Sequence, residues 1–251
     1  MFRRGASDGR LFGGRMTIDA EIREEERLAA VCLLSMVGGF TDAYSFLCRG
    51  HVFANAVTGN MVLLGMGLSK GAWAACGGYL AAILAYGSGI VMADAIQSKL
   101  GARRAFDWHQ AVLVLEIILL FLVAFVPCGR ADAAVNATIS FVCALQVQTF
   151  RRVHGLPFAS TMCTGNLRSG ADALFNGLKG ADPAGFSKAR HYFSVIVLFV
   201  LGAILGSILF TSWGPKAFVL APLALLAVLI LLGWKSGIYG IIHSIFQRHA
   251  R

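Results

Sequence analysis

The stretch GHVFANAVTGN, residues 50–60, decides the fold, because its pattern returns later in the chain. The later copy reads GLPFASTMCTGN and covers residues 155–166. Both copies place Gly-x-x-Phe-Ala upstream of Thr-Gly-Asn, and both follow a long apolar segment. The sequence therefore predicts two homologous halves that are offset by about 106 residues.

Composition excludes an ordinary soluble domain. Of the 251 residues, 57% are hydrophobic and only 14% are charged, whereas a water-facing surface carries roughly 25–35% charged residues. The net charge of +9 comes from basic residues that lie between apolar runs, where membrane topology signals lie. We therefore expect the lipid bilayer, and no nucleic acid, as the partner of this surface.

Eight apolar segments approach the length of about 20 residues that a membrane-crossing helix needs. Two of them, Val52–Leu68 and Phe158–Leu178, contain the Thr-Gly-Asn motifs and are interrupted by polar residues and glycine. The six uninterrupted segments are Leu28–Leu47, Ala72–Ile96, Ala111–Val126, Ala133–Phe150, Tyr192–Phe210 and Ala217–Trp234. We expect a single transmembrane domain over 28–235, with repeats at about 28–127 and 133–234, between cytoplasmic tails 1–27 and 236–251. The first span is expected to be uncleaved, with Met16 as an alternative start.

The distribution of Lys and Arg distinguishes two topologies. If all eight segments cross, the inner and outer loops carry eight and seven basic residues, whereas two returning Thr-Gly-Asn segments give eleven against four. The second count predicts an all-α polytopic membrane protein with two inverted repeats, six full transmembrane helices and two re-entrant or broken segments. Both termini are then cytoplasmic, and the bacterial inner membrane is the expected location. Eight full spans remain the alternative.

Polar residues inside the membrane indicate a site, because they are costly there and usually face a pathway or the bundle interior. Asp42 lies fourteen residues into the first segment, about 21 Å along a helix, and the repeat offset pairs it with Gln148. Irregular backbone at this depth is tolerated where it lines a cavity. The candidate solute- or ion-binding residues lie at the two motifs or at the depth of Asp42: Asp42, Thr41, Asn55, Thr58, Gly59, Asn60, Gln148, Thr164, Gly165 and Asn166.

Three further residues are weaker candidates. Glu116 lies within an apolar segment, and Arg168 and Asp172 have the i,i+4 spacing of a helical ion pair. We also expect the chain to break at Gly59 and Gly165 and the helices to resume at Asn60 and Asn166. The N-termini of these two helices should meet near the midplane, with Gly59 and Gly165 within roughly 15 Å, a little over one helix diameter. In a competing interpretation, the small residues of the motifs only bring helices close together.

Motifs of enzymes and metal sites are missing from the sequence. The six cysteines form no Cys-x-x-Cys pair, and in apolar segments such thiols behave as small hydrophobic groups. The chain also lacks the Gly-x-Ser-x-Gly, His-Glu-x-x-His and nucleotide-binding patterns. We therefore expect no enzymatic activity, no cofactor and no metal ion.

Three motifs together resemble the YoaK-like family of bacterial inner-membrane proteins. They are GGFTDA at 38–43, FANAVTGN at 53–60 and TMCTGNLR at 161–168, and the resemblance extends from about Glu24 to Trp234. It implies a polytopic membrane protein of a family known mainly as a domain of unknown function. The family pattern has a polar residue, often Gln, where this chain has Val57.

Two functional hypotheses follow. In the first, the protein is a small-solute or ion transporter or channel, with Asp42 and the two Thr-Gly-Asn segments along its path. In the second, it is a non-transporting membrane scaffold or assembly factor, whose breaks only shape helix packing. The identity of the solute, the coupling ion and a homo-oligomeric state stay open at this point.

Overall fold

The computed structural model describes residues 29–100, 108–153, 156–157, 161 and 163–231. Both predicted tails, 1–27 and 236–251, lie outside this part of the chain. Eight α-helices lie within it: α1 Ala29–Cys48, α2 Val57–Ser69, α3 Trp73–Leu100, α4 Trp108–Ala124, α5 Asp132–Thr149, α6 Cys163–Leu178, α7 Gly185–Trp213 and α8 at 220–231. A 3-10 helix, Gly214–Val219, joins α7 to α8, and two short antiparallel strands, β1 Arg152–Val153 and β2 Leu156–Pro157, lie between α5 and α6.

Within the described residues, three stretches are long and apolar enough to cross a membrane. They are Ala29–Cys48, Trp73–Leu100 and Gly185–Leu231. The last of these contains the 3-10 turn, and Gly214 within it has φ +68°. Helix α2 is too short to cross, because its 13 residues rise only about 20 Å against a hydrocarbon core of about 30 Å.

The order and length of the helices repeat. Helices α1, α2 and α3 have 20, 13 and 28 residues, and α5, α6 and α7 have 18, 16 and 29. Each set of three is a long helix, a shorter helix that opens on Thr-Gly-Asn, and a second long helix. Helix α4 follows the first set, and α8 follows the second. A helix lies in each of the eight predicted segments, but several bounds differ. Helix α7 begins at Gly185 rather than at Tyr192, α2 at Val57 rather than at Val52, and α6 at Cys163 rather than at Phe158.

Two helix crossings join the halves, and they correspond to one another. At the first, α1 crosses α7, where a Cβ on Gly202 would overlap the carbonyl oxygen of Met36. At the second, α5 crosses α3, where a Cβ on Gly89 would lie 2.5 Å from the carbonyl oxygen of Phe141. The first long helix of each half therefore packs against the second long helix of the other half, through glycine that lets the backbones meet.

Paired contacts give the helix directions. Asn136 of α5 donates to the Arg49 carbonyl oxygen at 2.7 Å, and Gln146 donates to the Leu34 carbonyl oxygen at 3.2 Å, so α5 is antiparallel to α1. Helix α7 is parallel to α1, since Ser35 donates to the Val195 carbonyl oxygen at 2.8 Å and Gly206 packs against Ala43. Helix α3 is parallel to α5 by the Gly89 contact and by a hydrogen bond of 2.7 Å from Gln148 to Asp94.

The end of the bundle where α1 finishes is fastened by a buried arginine. Arg49 is 1% exposed. Its guanidinium donates to the Tyr44 hydroxyl at 2.8 Å, to the Pro127 carbonyl oxygen at 2.9 Å and to the Asp132 carboxylate at 2.8 Å, and it also bonds to the Val126 carbonyl oxygen. One side chain thus ties α1 to the connection between α4 and α5.

Candidate functional site

The segment between α1 and α2 doubles back along α1. After Gly50 and His51, which have φ +82° and +59°, the Ala54 amide donates to Ser45 at 3.3 Å and the Asn55 amide donates to the Asp42 carboxylate at 2.8 Å. The Asn55 side chain then donates to the Gly38 carbonyl oxygen at 2.9 Å. Helix α2 therefore begins beside the middle of α1.

Helix α2 runs from this level back towards the end where α1 finishes. It turns at Gly71 into α3, which is parallel to α5 and therefore antiparallel to α1. Trp73 precedes Gly89 by 16 residues, which is about 24 Å of helix. The chain thus comes to α2 from the end of the bundle where α1 finishes and leaves α2 at that same end. We call a helix of this kind a half-helix.

The second motif approaches the same turn of α1 from the other end. A Cβ on Gly38 would overlap the methyl carbon of Thr161, which lies two residues before the start of α6 at Cys163. Helix α6 is antiparallel to α7, because Gly170 contacts Tyr192 and Gly177 contacts Gly185. It therefore runs from the level of Asp42 to the end of the bundle opposite to that reached by α2.

Both Thr-Gly-Asn motifs lie inside helices, which corrects one expectation. The sequence placed the break at Gly59 and Gly165, with helices resuming at Asn60 and Asn166, but α2 begins at Val57 and α6 at Cys163. Before the first motif, residues 51–56 are not helical. The Asn60 side chain fixes this segment, because it accepts a hydrogen bond from the Phe53 amide at 3.2 Å and donates one to the Phe53 carbonyl oxygen at 2.6 Å.

The residues before α2, the start of α6 and the Gly38–Asp42 turn of α1 form what we call the central site. Its polar members are Thr41, Asp42, Asn55 and Thr161, all at most 8% exposed. Thr41 donates to the Gly38 carbonyl oxygen at 2.9 Å and accepts from Asn55 at 3.3 Å. Among the described side chains, the oxygen atoms of Asn55 and Thr161 have no hydrogen-bond partner. Both oxygens can therefore form hydrogen bonds with a bound molecule.

Charge at the central site is balanced by the backbone. Asp42 brings one carboxylate, and two helices begin beside it, each with about half a positive charge from its dipole. The Asn55 amide supplies a direct hydrogen bond to the carboxylate. Such an arrangement suits a polar solute with both donors and acceptors better than a strongly charged one.

A polar face of α5 extends from the Arg49 end of the bundle to the level of the central site. Asn136, Ser140 and Cys143 follow at i, i+4 and i+7 and are at most 5% exposed. The side-chain oxygens of Asn136 and Ser140 have no partner among the described residues. Because Asn136 and Gln146 of the same helix bond to the carbonyl oxygens of Arg49 and Leu34, Cys143 lies at about the level of the Gly38–Asp42 turn of α1.

Several predicted site residues lie elsewhere. Thr58, Thr164 and Gly165 are exposed, whereas Asn60 and Asn166 are buried. Gln148, which the repeat offset paired with Asp42, donates instead to Asp94, and Gln146 is the buried glutamine.

The ion pair predicted within α6 does not form. In the part of the chain that the structure describes, ion pairs join Arg49 to Asp132 at 2.8 Å and Lys188 to Asp182 at 2.7 Å. Arg168 and Asp172 are exposed. Solvation of two exposed charges competes well with a helical pair worth only a few tenths of a kcal/mol, roughly 0.2–0.5.

Sequence reasoning missed Thr161, Ser140 and Cys143. Thr161 is the repeat counterpart of Asn55 at the offset of 106, so carrying Asn55 through the repeat would have found it. Cys143 was included among the cysteines that behave as small hydrophobic groups, and Ser140 was not singled out. Their shared spacing with Asn136 on one helical face was the available signal.

Comparison with known proteins identifies the family of the chain. The model of the family described as "Protein of unknown function (DUF1275)" matches residues 30–232. The UPF0700 transmembrane protein YoaK of Bacillus subtilis (strain 168) is 30% identical over 149 residues, which cover 57% of this chain and 65% of that protein. No solved structure matches the chain. The predicted family and membrane location are therefore confirmed, and the chain belongs to the DUF1275 family of proteins, which includes the YoaK-like proteins.

Proposed function

We propose that the protein transports a small polar solute or ion across the bacterial inner membrane, and that the solute binds at the central site. The observation that carries the proposal is the convergence of two half-helices, from opposite ends of the bundle, on one turn of α1 that holds Asp42. Transporters commonly bind their solutes near the midplane at discontinuous helices of inverted repeats. Buried side chains with unpartnered oxygens at this level also favour a solute, because an unpaired polar group inside a membrane is costly.

The proposed topology has six full spans and two re-entrant half-helices, with both termini cytoplasmic. Two observations support it: α1 and α5 run in opposite directions, and each half-helix returns towards the end from which its chain entered. The count of eleven basic residues against four sets the orientation. Arg49 and Cys128 then lie at the periplasmic end, and Arg151 lies at the cytoplasmic end.

Thiol labelling tests this topology. In a variant that keeps only Cys128, which is exposed, we expect an impermeant maleimide to label intact spheroplasts. With Arg151→Cys as the sole cysteine, we expect labelling only after permeabilisation. Labelling of both positions from outside would favour eight full spans. Arg103, in the other predicted cytoplasmic loop, lies outside the described residues.

Uptake by proteoliposomes tests transport itself. The purified full chain is reconstituted into phosphatidylethanolamine–phosphatidylglycerol vesicles, and a panel of labelled amino acids, sugars, organic acids and monovalent cations is offered. We expect saturable uptake of at least one compound class above that of protein-free vesicles. Uptake of none, by protein that stays folded in the vesicles, would favour the membrane scaffold.

A further inference from the structure

A groove lies between α4 and α5 on the outer surface of the bundle. Its volume is about 240 Å³. Its lining includes Val123 and Val135, which are buried, and Leu122 and Ala134, which are exposed. The groove is therefore open on a side of the bundle that the membrane covers. The eight lining residues are Leu119, Leu122, Val123, Val126, Ala131, Ala134, Val135 and Thr138.

The lining of this groove is apolar. Seven of its eight side chains are hydrocarbon, and the hydroxyl of the eighth, Thr138, donates within its own helix to the Ala134 carbonyl oxygen at 2.9 Å. Glu116, the carboxyl group of α4, is 0% exposed in the core and does not line the groove. Apolar cavities of about 150 Å³ stay dry and bind molecules such as benzene. The groove thus suits a hydrocarbon group better than water or a polar solute.

The dimensions of the groove fit a single hydrocarbon chain. Val126 and Ala131 line it at the connection between α4 and α5, and Leu119 and Thr138 line its inner end. Leu119 and Val126 are seven residues apart, which is about 10 Å of helix. The volume divided by this length gives a cross-section of about 24 Å², whereas a helix 10 Å across occupies about 80 Å². An unbranched chain can therefore enter the groove, and a helix of another protein cannot.

A cation lies at the outer end of the groove. Arg130 directly precedes Ala131, and its side chain is exposed. Within the described part of the chain Arg130 forms no ion pair, and the neighbouring Asp132 is held by Arg49 at 2.8 Å. The charge of Arg130 is therefore not neutralised by the protein. Basic side chains at a membrane surface attract anionic headgroups.

We propose that the groove between α4 and α5 binds one acyl chain of an anionic phospholipid, with the headgroup at Arg130. Lipid tails are as apolar as the lining, so the binding energy comes from close packing and from the contact of opposite charges. The lipid then joins α4 to α5 on the outside of the bundle, at the end that Arg49 stabilises from within. This inference is independent of the proposed transport function.

Lipid titration followed by native mass spectrometry tests the groove. The full chain is purified in detergent, freed of lipid, and titrated with phosphatidylglycerol or with phosphatidylcholine of the same acyl chains. We expect one phosphatidylglycerol to bind with a Kd about fivefold lower than that of phosphatidylcholine, which is the gain that one arginine provides near an anionic lipid.

Two variants separate the headgroup from the acyl chain. Arg130→Gln should weaken the binding of phosphatidylglycerol to the level of phosphatidylcholine. Ala134→Phe places a ring in the groove and should weaken the binding of both lipids about tenfold or more. Ala133→Phe is the matched control, because Ala133 is also exposed on α5 but does not line the groove. Ala134→Leu replaces Ala134→Phe if the larger side chain prevents folding.

Three results would overturn the lipid site. Equal affinity of the wild type for both lipids would contradict the headgroup contact at Arg130. Equal binding of phosphatidylglycerol by the Ala134→Phe and Ala133→Phe variants would contradict an acyl chain in the groove. A dimer in lipid-free detergent that Ala134→Phe dissociates would show that a second copy of the chain, and not a lipid, covers this surface.

Discussion

Alanine at Gly202 is expected to abolish the folded state, because a single methyl group there blocks the crossing of α1 and α7. Its Cβ would overlap the Met36 carbonyl oxygen and lie 2.7 Å from the Met36 carbonyl carbon. Overpacking of a core usually costs about 1–3 kcal/mol and more where no side chain can move aside. Here the obstacle is backbone, so the two helices must separate along their whole contact.

The measurement is the yield and thermal stability of detergent-solubilised protein by size-exclusion chromatography. Gly89→Ala, at the corresponding crossing of α3 and α5, is expected to act in the same direction. Gly78→Ala is the matched control, because a Cβ there meets no atom within 4 Å and alanine is favoured over glycine in helices by roughly 0.5–1 kcal/mol. Equal stability of the Gly202 and Gly78 variants would contradict the crossing.

The second large effect is expected at Arg49. Arg49→Met removes the donors for Tyr44, Pro127 and Asp132 at once and leaves the Asp132 side chain only 24% exposed. Removing one partner of a buried ion pair typically costs about 3–5 kcal/mol. Lysine should restore only part of this loss, because a single ammonium cannot reproduce the planar fork of donors.

Thermal unfolding in detergent measures the loss. Arg130→Met, in the same connection between α4 and α5, is the control, because Arg130 is exposed and an exposed charge contributes roughly 0–1 kcal/mol. If the Arg49→Met and Arg130→Met variants unfold at the same temperature, Arg49 does not stabilise this end of the bundle.

The helical membrane architecture could be predicted because it depends on local composition. The thickness of the hydrocarbon core sets the minimum length of apolar runs such as Trp73–Leu100. The repeat was visible as a recurring sequence motif. Boundaries were less predictable. Helix α7 extends to Gly185 because glycine there allows close contact with Gly177 of α6, a pairing that no local pattern reveals.

The position of the breaks illustrates what the sequence leaves undetermined. Gly59 and Gly165 suggested breaks because glycine tolerates many conformations, yet both are helical. Residues 51–56, before α2, can be irregular because α1 satisfies their polar groups through Ser45, Asp42 and the Gly38 carbonyl oxygen. Such bonds join residues that are 9 to 17 positions apart, and their existence depends on the tertiary fold.

The pairing of Asp42 with Gln148 depends on the exact offset between the repeats. A shift of one residue in a helix turns a side chain by about 100°, so the offset between α1 and α5 must be known exactly. The equivalent crossings pair Met36 with Phe141, an offset of 105 rather than 106. One residue is enough to place Gln148 beside Asp94 and away from the expected face.

The most direct test of the account compares solute uptake by three forms of the protein in the same vesicles: wild type, Asp42→Asn and Asp172→Asn. Asparagine keeps the size of Asp42 and an acceptor for the Asn55 amide but removes the charge, and a hydrogen bond to a charged group contributes about 1.5–3 kcal/mol. We therefore predict that Asp42→Asn lowers uptake of the transported compound about tenfold or more, while Asp172→Asn matches wild type. Undiminished uptake by folded Asp42→Asn protein would contradict a solute site at the meeting point of the two half-helices.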